Sequence, residues 1–279
     1  MNEGRRKRNW LRMLLTIILG YALIILVVAL FQRRLIFVPA RLPIAVAEST
    51  ARENGFLPWQ NGGNEFIGWQ MPATGSSTGV VLIVHGNAGF AGDRDYLARP
   101  IHGAAAVDVF VLEYPGYGAR AGSPSKASFI AAAEEAFRLL PAGKPRYVVA
   151  ESLGAGVATH LAKTHAPEVA GMALFVPYHS LAWVAQRTMP LLPAGWLLRD
   201  RFSPAEDLKS YQGPIKVVVA ENDEVIPAEA GRRLFELYHG PKDLKIFSQA
   251  RHNEVAEQSP EWWRDVFAFW ETNAPKSQK

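Results

Sequence analysis

Apolar residues fall along this chain in three patterns. The first is an uncharged run of 19 residues from Met13 to Phe31, rich in Leu, Ile and Val, which as a helix rises roughly 28 Å and just spans a bilayer's hydrocarbon. It is longer than the apolar stretch of a cleaved leader and exits through Phe31-Gln32-Arg33-Arg34 instead of a small-residue cleavage site, so it reads as an uncleaved signal anchor. The second pattern is a series of short β-type runs at residues 65–71, 80–84, 107–112, 147–150, 172–176, 215–220 and 244–247. Runs such as Val80-Val81-Leu82-Ile83-Val84 and Val217-Val218-Val219 suit strands covered on both faces. The third is helical. Ile130, Ala133, Phe137 and Leu140 recur at three and four residues between Ser125 and Leu140. A last helix opens on Ser259-Pro260-Glu261, a serine cap with proline in the first turn, and sets Trp263, Val266, Phe267 and Trp270 on one face. At that spacing the aromatic residues are core, not a ligand cage.

Strands alternate with helices, so the chain reads as α/β, with a mostly parallel sheet covered by helices on both faces. Residues 1–12 form a basic tail and 13–31 the anchor. Residues 32–64, with Pro39, Pro43 and Pro58 and no sustained period, form a linker packed on the domain, and 65–279 form the domain itself. Within it, residues 177–211 break the rhythm with Trp183, Met189, Pro190, Pro193, Trp196 and Phe202 and read as a short lid over the sheet.

Charge then changes the picture. The formal net charge is +4, but residues 1–34 hold seven Lys or Arg against Glu3, a net of +6, which leaves −2 for the rest. A slightly acidic domain has no footprint for a phosphate backbone, so nucleic acid is not an expected partner. Five basic residues precede the span, while Arg33, Arg34 and Arg41 follow it. That bias puts the N-terminus in the cytoplasm and the domain outside, in the periplasm of a bacterial inner membrane. The lack of any Asn-x-Ser/Thr sequon fits a bacterial chain better than one processed in the ER. The 279 residues include no cysteine, which excludes disulfides, thiolate catalysis and Cys-based metal sites.

The chemistry is concentrated at strand ends. Tyr147-Val148-Val149-Ala150-Glu151-Ser152-Leu153-Gly154-Ala155-Gly156 is a strand, a serine at a tight bend and a helix of small residues, the layout of a nucleophile elbow with Ala150 where glycine is usual. Serine needs a base, and the base an orienting carboxylate. Asp223 and His252 follow in that order, each just past a strand. Asp207 and Glu221 are rival acids, less well placed because Asp207 precedes its strand and Glu221 abuts the strand end. His85-Gly86-Asn87-Ala88-Gly89 ends an earlier strand and can present backbone N–H groups to an oxyanion. The expected donors are Leu153 and Asn87, with Ala88 as the alternative. Ala88, Tyr178 and His179 are candidate pocket residues. His85 reads as a structural residue at a strand end, while His160 and His165 lie on different faces of a surface helix. With no His-x-x-x-His type pair, no metal is expected. Gly116-Tyr117-Gly118-Ala119-Arg120-Ala121 matches a dinucleotide fingerprint only loosely, because Gly122-Ser123-Pro124 intervenes before any helix. It reads as the loop after a strand.

The strings His85-Gly86-Asn87-Ala88-Gly89, Glu113-Tyr114-Pro115-Gly116-Tyr117-Gly118, Glu151-Ser152-Leu153-Gly154, Asn222-Asp223-Glu224-Val225-Ile226-Pro227 and Arg251-His252-Asn253-Glu254 occur in order. With the Gln32-Arg33-Arg34-Leu35-Ile36-Phe37-Val38-Pro39 exit from the anchor, they resemble the membrane-anchored α/β-hydrolase-domain family. The resemblance covers most of the chain. It implies the α/β-hydrolase fold and a Ser152–His252–Asp223 triad, acting without cofactor through an acyl-enzyme on a lipid-like carboxylic ester or thioester. Ala150, Ala220 and Pro177-Tyr178-His179 depart from the family's usual residues. A peptidase or amidase, or a non-catalytic membrane-tethered binding protein on the same fold, stands as the alternative.

Overall fold

The computed structural model describes residues 3–274; the ends of the expected basic tail (1–2) and of the expected domain (275–279) lie outside the described residues. The strands are β1 (Val38–Pro39), β2 (Leu57–Gln60), β3 (Phe66–Met71), β4 (Gly79–Val84), β5 (Ala88–Gly89), β6 (Val107–Leu112), β7 (Arg146–Glu151), β8 (Val169–Phe175), β9 (Ile215–Ala220) and β10 (Lys242–Phe247). The helices are α1 (Glu3–Ile36), α2 (Ile44–Glu53), α3 (Asp95–Ala104), α4 (Lys126–Leu139), α5 (Gly154–Thr164), α6 (Leu181–Thr188), α7 (Ala194–Leu197), α8 (Pro204–Asp207), α9 (Ala228–Leu237) and α10 (Pro260–Asn273).

Eight strands form one sheet in the order β10-β9-β8-β7-β4-β6-β3-β2. Pairing is parallel from β10 to β6, and β3 and β2 add an antiparallel edge. The apolar runs explain the middle of the sheet, since every residue of β4 and β7 is buried. Their side chains divide by alternation. Val80, Leu82 and Val84 join α4, α5 and α9 in one core, whereas Val81 and Ile83 join α2, α3 and α10 in the other. On α4 and its C-terminal cap the expected Ala133, Phe137 and Leu140 are buried together with Phe129, Ala132 and Ala136, and Ile130 packs half-buried against the same core. On α10, Ser259 Oγ accepts the Trp262 N–H and the four expected side chains are buried. Trp270 donates to the Met172 carbonyl from inside the core.

Residues 32–64 are more ordered than a linker. They contain the end of α1, the pair β1–β5, helix α2 and the edge strand β2. Residues 177–211 hold α6, α7, α8 and a short 3-10 turn. Helix α1 is long and apolar enough to cross a membrane, and most of its surface faces away from the domain.

Candidate active site

Strand β7 delivers Ser152 at a sharp bend. The backbone there has φ +51°, a left-handed conformation that a residue with a side chain rarely takes. The bend is held because the Ser152 N–H donates to the Phe175 carbonyl at 2.9 Å, and α5 begins two residues later. Close packing makes Gly154 obligatory, since a Cβ on it would lie 2.2 Å from the Val84 carbonyl oxygen and 2.8 Å from that of His85. Ala150 sits where its methyl is absorbed into the buried core against β4 and β8.

The loops after β9 and β10 bring the other two groups to the same sheet edge. His252 Nε2 lies 3.1 Å from Ser152 Oγ, and His252 Nδ1 lies 2.7 Å from Asp223 Oδ2. Asp223 is fixed in turn, because its Oδ1 accepts the N–H groups of Val225 at 2.8 Å and Ile226 at 2.7 Å. The carboxylate is 1% exposed and the imidazole 8% exposed, so water competes little for either hydrogen bond. The rival acids are engaged elsewhere, Glu221 with Arg232 and Asp207 with Lys163.

Asn87 and Leu153 both border a cavity of about 260 Å3 that opens onto Ser152. Among the described residues neither backbone N–H has an acceptor in the protein, so both are available to an oxygen arriving from the cavity. The Asn87 side chain faces the other way. Its Nδ2 donates to the Ile36 carbonyl, and its Oδ1 accepts the Val38 N–H at 3.1 Å and the Tyr117 hydroxyl at 3.0 Å. Parallel pairing of β1 with β5 (Val38 opposite Ala88) extends this clamp. From the opposite side Arg94 donates to the Ala88 carbonyl and to Tyr96 Oη, which donates to Glu151 beside the serine. The loop with the expected dinucleotide-like string therefore serves as a support, Tyr117 bracing Asn87.

Tyr178 lines the cavity and donates its hydroxyl to the Leu153 carbonyl at 3.2 Å. Ala88 and His179, expected beside it, do not line the cavity. Ala88 is taken up in the β1–β5 pair, and His179 packs on Trp183 with Nδ1 toward the Ala230 carbonyl. His160 and His165 also differ from expectation, since both reach Glu134, at 3.3 and 2.8 Å. His85 is fully buried among Tyr114, Tyr117 and Glu113. Burial, reinforced by Arg94, holds its pKa well below the ordinary histidine value. Burial likewise pushes the Glu113 carboxyl up to about 8.

A family model described as "Serine aminopeptidase, S33" matches residues 75–205. An uncharacterized protein of Mycobacterium tuberculosis is 33% identical over 231 residues, 80% of this chain and 81% of that protein. The lysophosphatidylserine lipase ABHD12 of Mus musculus is 26% identical over 338 residues, covering 99% of this chain and 84% of that one. This chain belongs to the α/β-hydrolase family. The fold agrees: a solved esterase of Pyrococcus furiosus covers 86% of this hydrolase and 99% of its own chain, with a TM-score of 0.62 at 15% identity. A monoacylglycerol lipase of Paleococcus ferrophilus covers 74% and 98%, with a TM-score of 0.56 at 21% identity.

One part of the hydrolase's site was not foreseen. Val28, Gln32, Leu35 and Ile36 of α1 form one wall of the cavity. Gln32 is 5% exposed and joins α1 to the segment after α7, donating to the Leu197 carbonyl and accepting the Arg199 N–H. Arg33 forms a two-point ion pair with the buried Asp200, at 2.7 and 3.1 Å. The only signal for this in the sequence was a glutamine and an arginine at the end of an apolar run.

Proposed function

We propose that this protein is a membrane-anchored serine hydrolase that cleaves a lipid-like carboxylic ester or thioester through an acyl-enzyme, with Ser152 as nucleophile, His252 as base and Asp223 as orienting acid. The observation that carries the reading is the unbroken relay from Asp223 Oδ2 through the ring of His252 to Oγ of a serine in a strained left-handed bend. His252 Nε2 takes the Oγ proton as Oγ bonds to the carbonyl carbon, and Asp223 stabilises the imidazolium. The N–H groups of Leu153 and Asn87 receive the oxyanion. The imidazolium gives its proton to the leaving alcohol or thiol, and acyl-Ser152 remains. Water, deprotonated by His252, then attacks the acyl carbon, releases the acid and restores the serine.

A cavity walled by side chains such as Val28, Leu35, Val184 and Met189 favours an acyl chain over a peptide. A peptidase acting at a free amino terminus needs an anion to pair with the ammonium group, and no carboxylate lines this cavity among the described residues. The lysophosphatidylserine lipase and monoacylglycerol lipase named among similar proteins point the same way. The length and apolar character of α1 support its role as the membrane anchor, and the excess of basic residues before the span supports a domain on the non-cytoplasmic side. A fluorophosphonate probe and a short-chain p-nitrophenyl ester, applied to the full chain and to Ser152→Ala, test the assignment. Labelling and turnover should vanish in the variant; a probe adduct on Ser152→Ala equal to wild type refutes the nucleophile. Turnover of an amide faster than its matched ester would favour the peptidase reading, and no turnover of either would favour a binding protein.

A further inference from the structure

The end of α1 and the lid are built as one unit. Along α1 the less exposed residues Ile25, Val28, Ala29, Gln32 and Ile36 fall at helical spacing on one face, the face turned to the lid. The contact continues further back, because the Tyr21 hydroxyl donates to the Leu191 carbonyl at 2.7 Å. Tyr21 lies twelve residues before Arg33, about 18 Å along the helix axis. A single leaflet's hydrocarbon is only about 15 Å deep, half of a typical core. With Arg33 and Arg34 at the polar boundary, the loop between α6 and α7 therefore reaches the depth of acyl chains.

The composition of that loop fits the depth. Thr188-Met189-Pro190-Leu191-Leu192-Pro193-Ala194-Gly195-Trp196-Leu197-Leu198 carries no charge and is bracketed by Arg187 and Arg199. Leu191 is 85% exposed and Trp196 78% exposed, and the Arg201 guanidinium donates to the Gly195 and Trp196 carbonyls. In water two such side chains at one tip are a liability, whereas among lipid chains they are at home. The cavity is bordered by Val28 and Leu35 of α1, by Met189 and Leu197 beside this loop, and by Ser152. Its volume of about 260 Å3 lies below the roughly 300–1,000 Å3 of ordinary small-molecule sites, which leaves room for one unbranched chain.

We propose that the α6–α7 tip is seated in the leaflet beside α1, and that the cavity is an acyl-chain site entered sideways from the bilayer by single-chain esters resident there. The proposal rests on the serine-hydrolase and anchor readings above for its chemistry and orientation. A chain at that depth passes between α1 and the lid to Ser152 without first crossing water.

Because the sequence holds no cysteine, a nitroxide on Leu191→Cys reports depth without background. In the full-length protein in phosphatidylcholine/phosphatidylglycerol vesicles, the label should be accessible to oxygen and shielded from an aqueous nickel chelate. The measurement is repeated in Ser152→Ala, so the depth stands or falls independently of the nucleophile. A label freely accessible to the aqueous chelate overturns the proposal. The second arm uses Leu191→Ser with Trp196→Ser, neither of which lines the cavity. Turnover of p-nitrophenyl acetate should match wild type, while that of p-nitrophenyl palmitate embedded in the vesicles should fall at least tenfold. An equal effect on both substrates overturns the sideways route.

Discussion

Asn87→Ala tests how the catalytic loop is held. The substitution leaves the residue's backbone N–H in place but removes three hydrogen bonds, to the Ile36 carbonyl, the Val38 N–H and the Tyr117 hydroxyl. Net values of about 0.5–1.5 kcal/mol each bracket the loss at roughly 1.5–4.5 kcal/mol. Asn87 is only half-buried, so water replaces part of this and the expected cost is about 2 kcal/mol. For a domain of this size that lowers Tm by about 4–8 °C. The catalytic effect should be separate and larger. Outright loss of one oxyanion donor costs about 10²–10³ in kcat, and a donor merely loosened should cost about 10–100-fold. KM should hardly change, because the oxyanion exists only in the transition state. Tyr117→Phe, which removes one of the three bonds, should lose correspondingly less. Steady-state hydrolysis of a water-soluble ester by the full-length protein, paired with thermal unfolding, measures both effects. An Asn87→Ala protein that is destabilised as expected yet keeps wild-type kcat would refute the link between clamp and oxyanion donor.

Three further outcomes follow from the geometry. Asp223→Asn should lower kcat by about 10⁴ with the fold intact, since the amide no longer holds the correct imidazole tautomer or stabilises the imidazolium; a loss below tenfold would remove Asp223 from the relay. Gly154→Ala drives a methyl to 2.2 Å from the Val84 carbonyl oxygen, where neither backbone can yield cheaply. It should cost roughly 1–3 kcal/mol or more and, by moving the elbow, at least about 10² in kcat/KM; an active, stable variant would show that the bend is softer than its contacts imply. Glu113 gives a pH signature. Its carboxyl is raised by burial from an ordinary value near 4.5 to about 8, so the unfolded chain loses that proton first and stability falls as pH rises from 4.5 to 8, by up to roughly 5 kcal/mol. His85, whose pKa is depressed by burial, acts oppositely, its contribution being lost as pH drops below about 6.5. Among the neighbours Asp93, Arg94 and Trp69, Glu113→Gln should therefore flatten the fall in stability between pH 6.5 and 8 and, between pH 4.5 and 6.5, leave the opposite His85 contribution uncompensated. An unchanged slope measured by denaturant unfolding contradicts the buried neutral carboxyl.

Much of the sheet was legible because burial on both faces leaves a direct trace. A strand such as Val80–Val84 has no polar side to confuse the reading. The missed elements lack that trace. Strand β2 holds Pro58 and buries only Trp59, as an edge strand can, and so it reads as a loop. Helix α2 has Pro43 before it, no side-chain cap, and only Ala47 and Ala51 buried, too little apolar area to set up a visible period. The order of Ser152, Asp223 and His252 marked three strand ends on one edge, a consequence of parallel topology that spacing does reveal. Ala88 and His179 lie outside the cavity lining for the opposite reason. Their neighbours in space come from α1 exit and α9, contacts that no local pattern encodes.

The wall contributed by α1 was hidden more deeply, because Leu, Ile and Val read alike whether they meet lipid chains or a substrate chain. What separates the two is a polar residue that needs a partner. Gln32 is buried with both ends of its amide engaged, which an amide facing hydrocarbon could not achieve. From that contact the physical order of the site follows. The elbow at Ser152 is held by the central sheet, whereas Asn87 is held by the end of α1 and the residues after it, through Ile36 and Val38. The proposed nucleophile and one proposed oxyanion donor thus belong to different supports. The end of α1 and the segment after it serve both the cavity wall, through Val28, Gln32 and Leu35, and the loop that carries Asn87, through Ile36 and Val38.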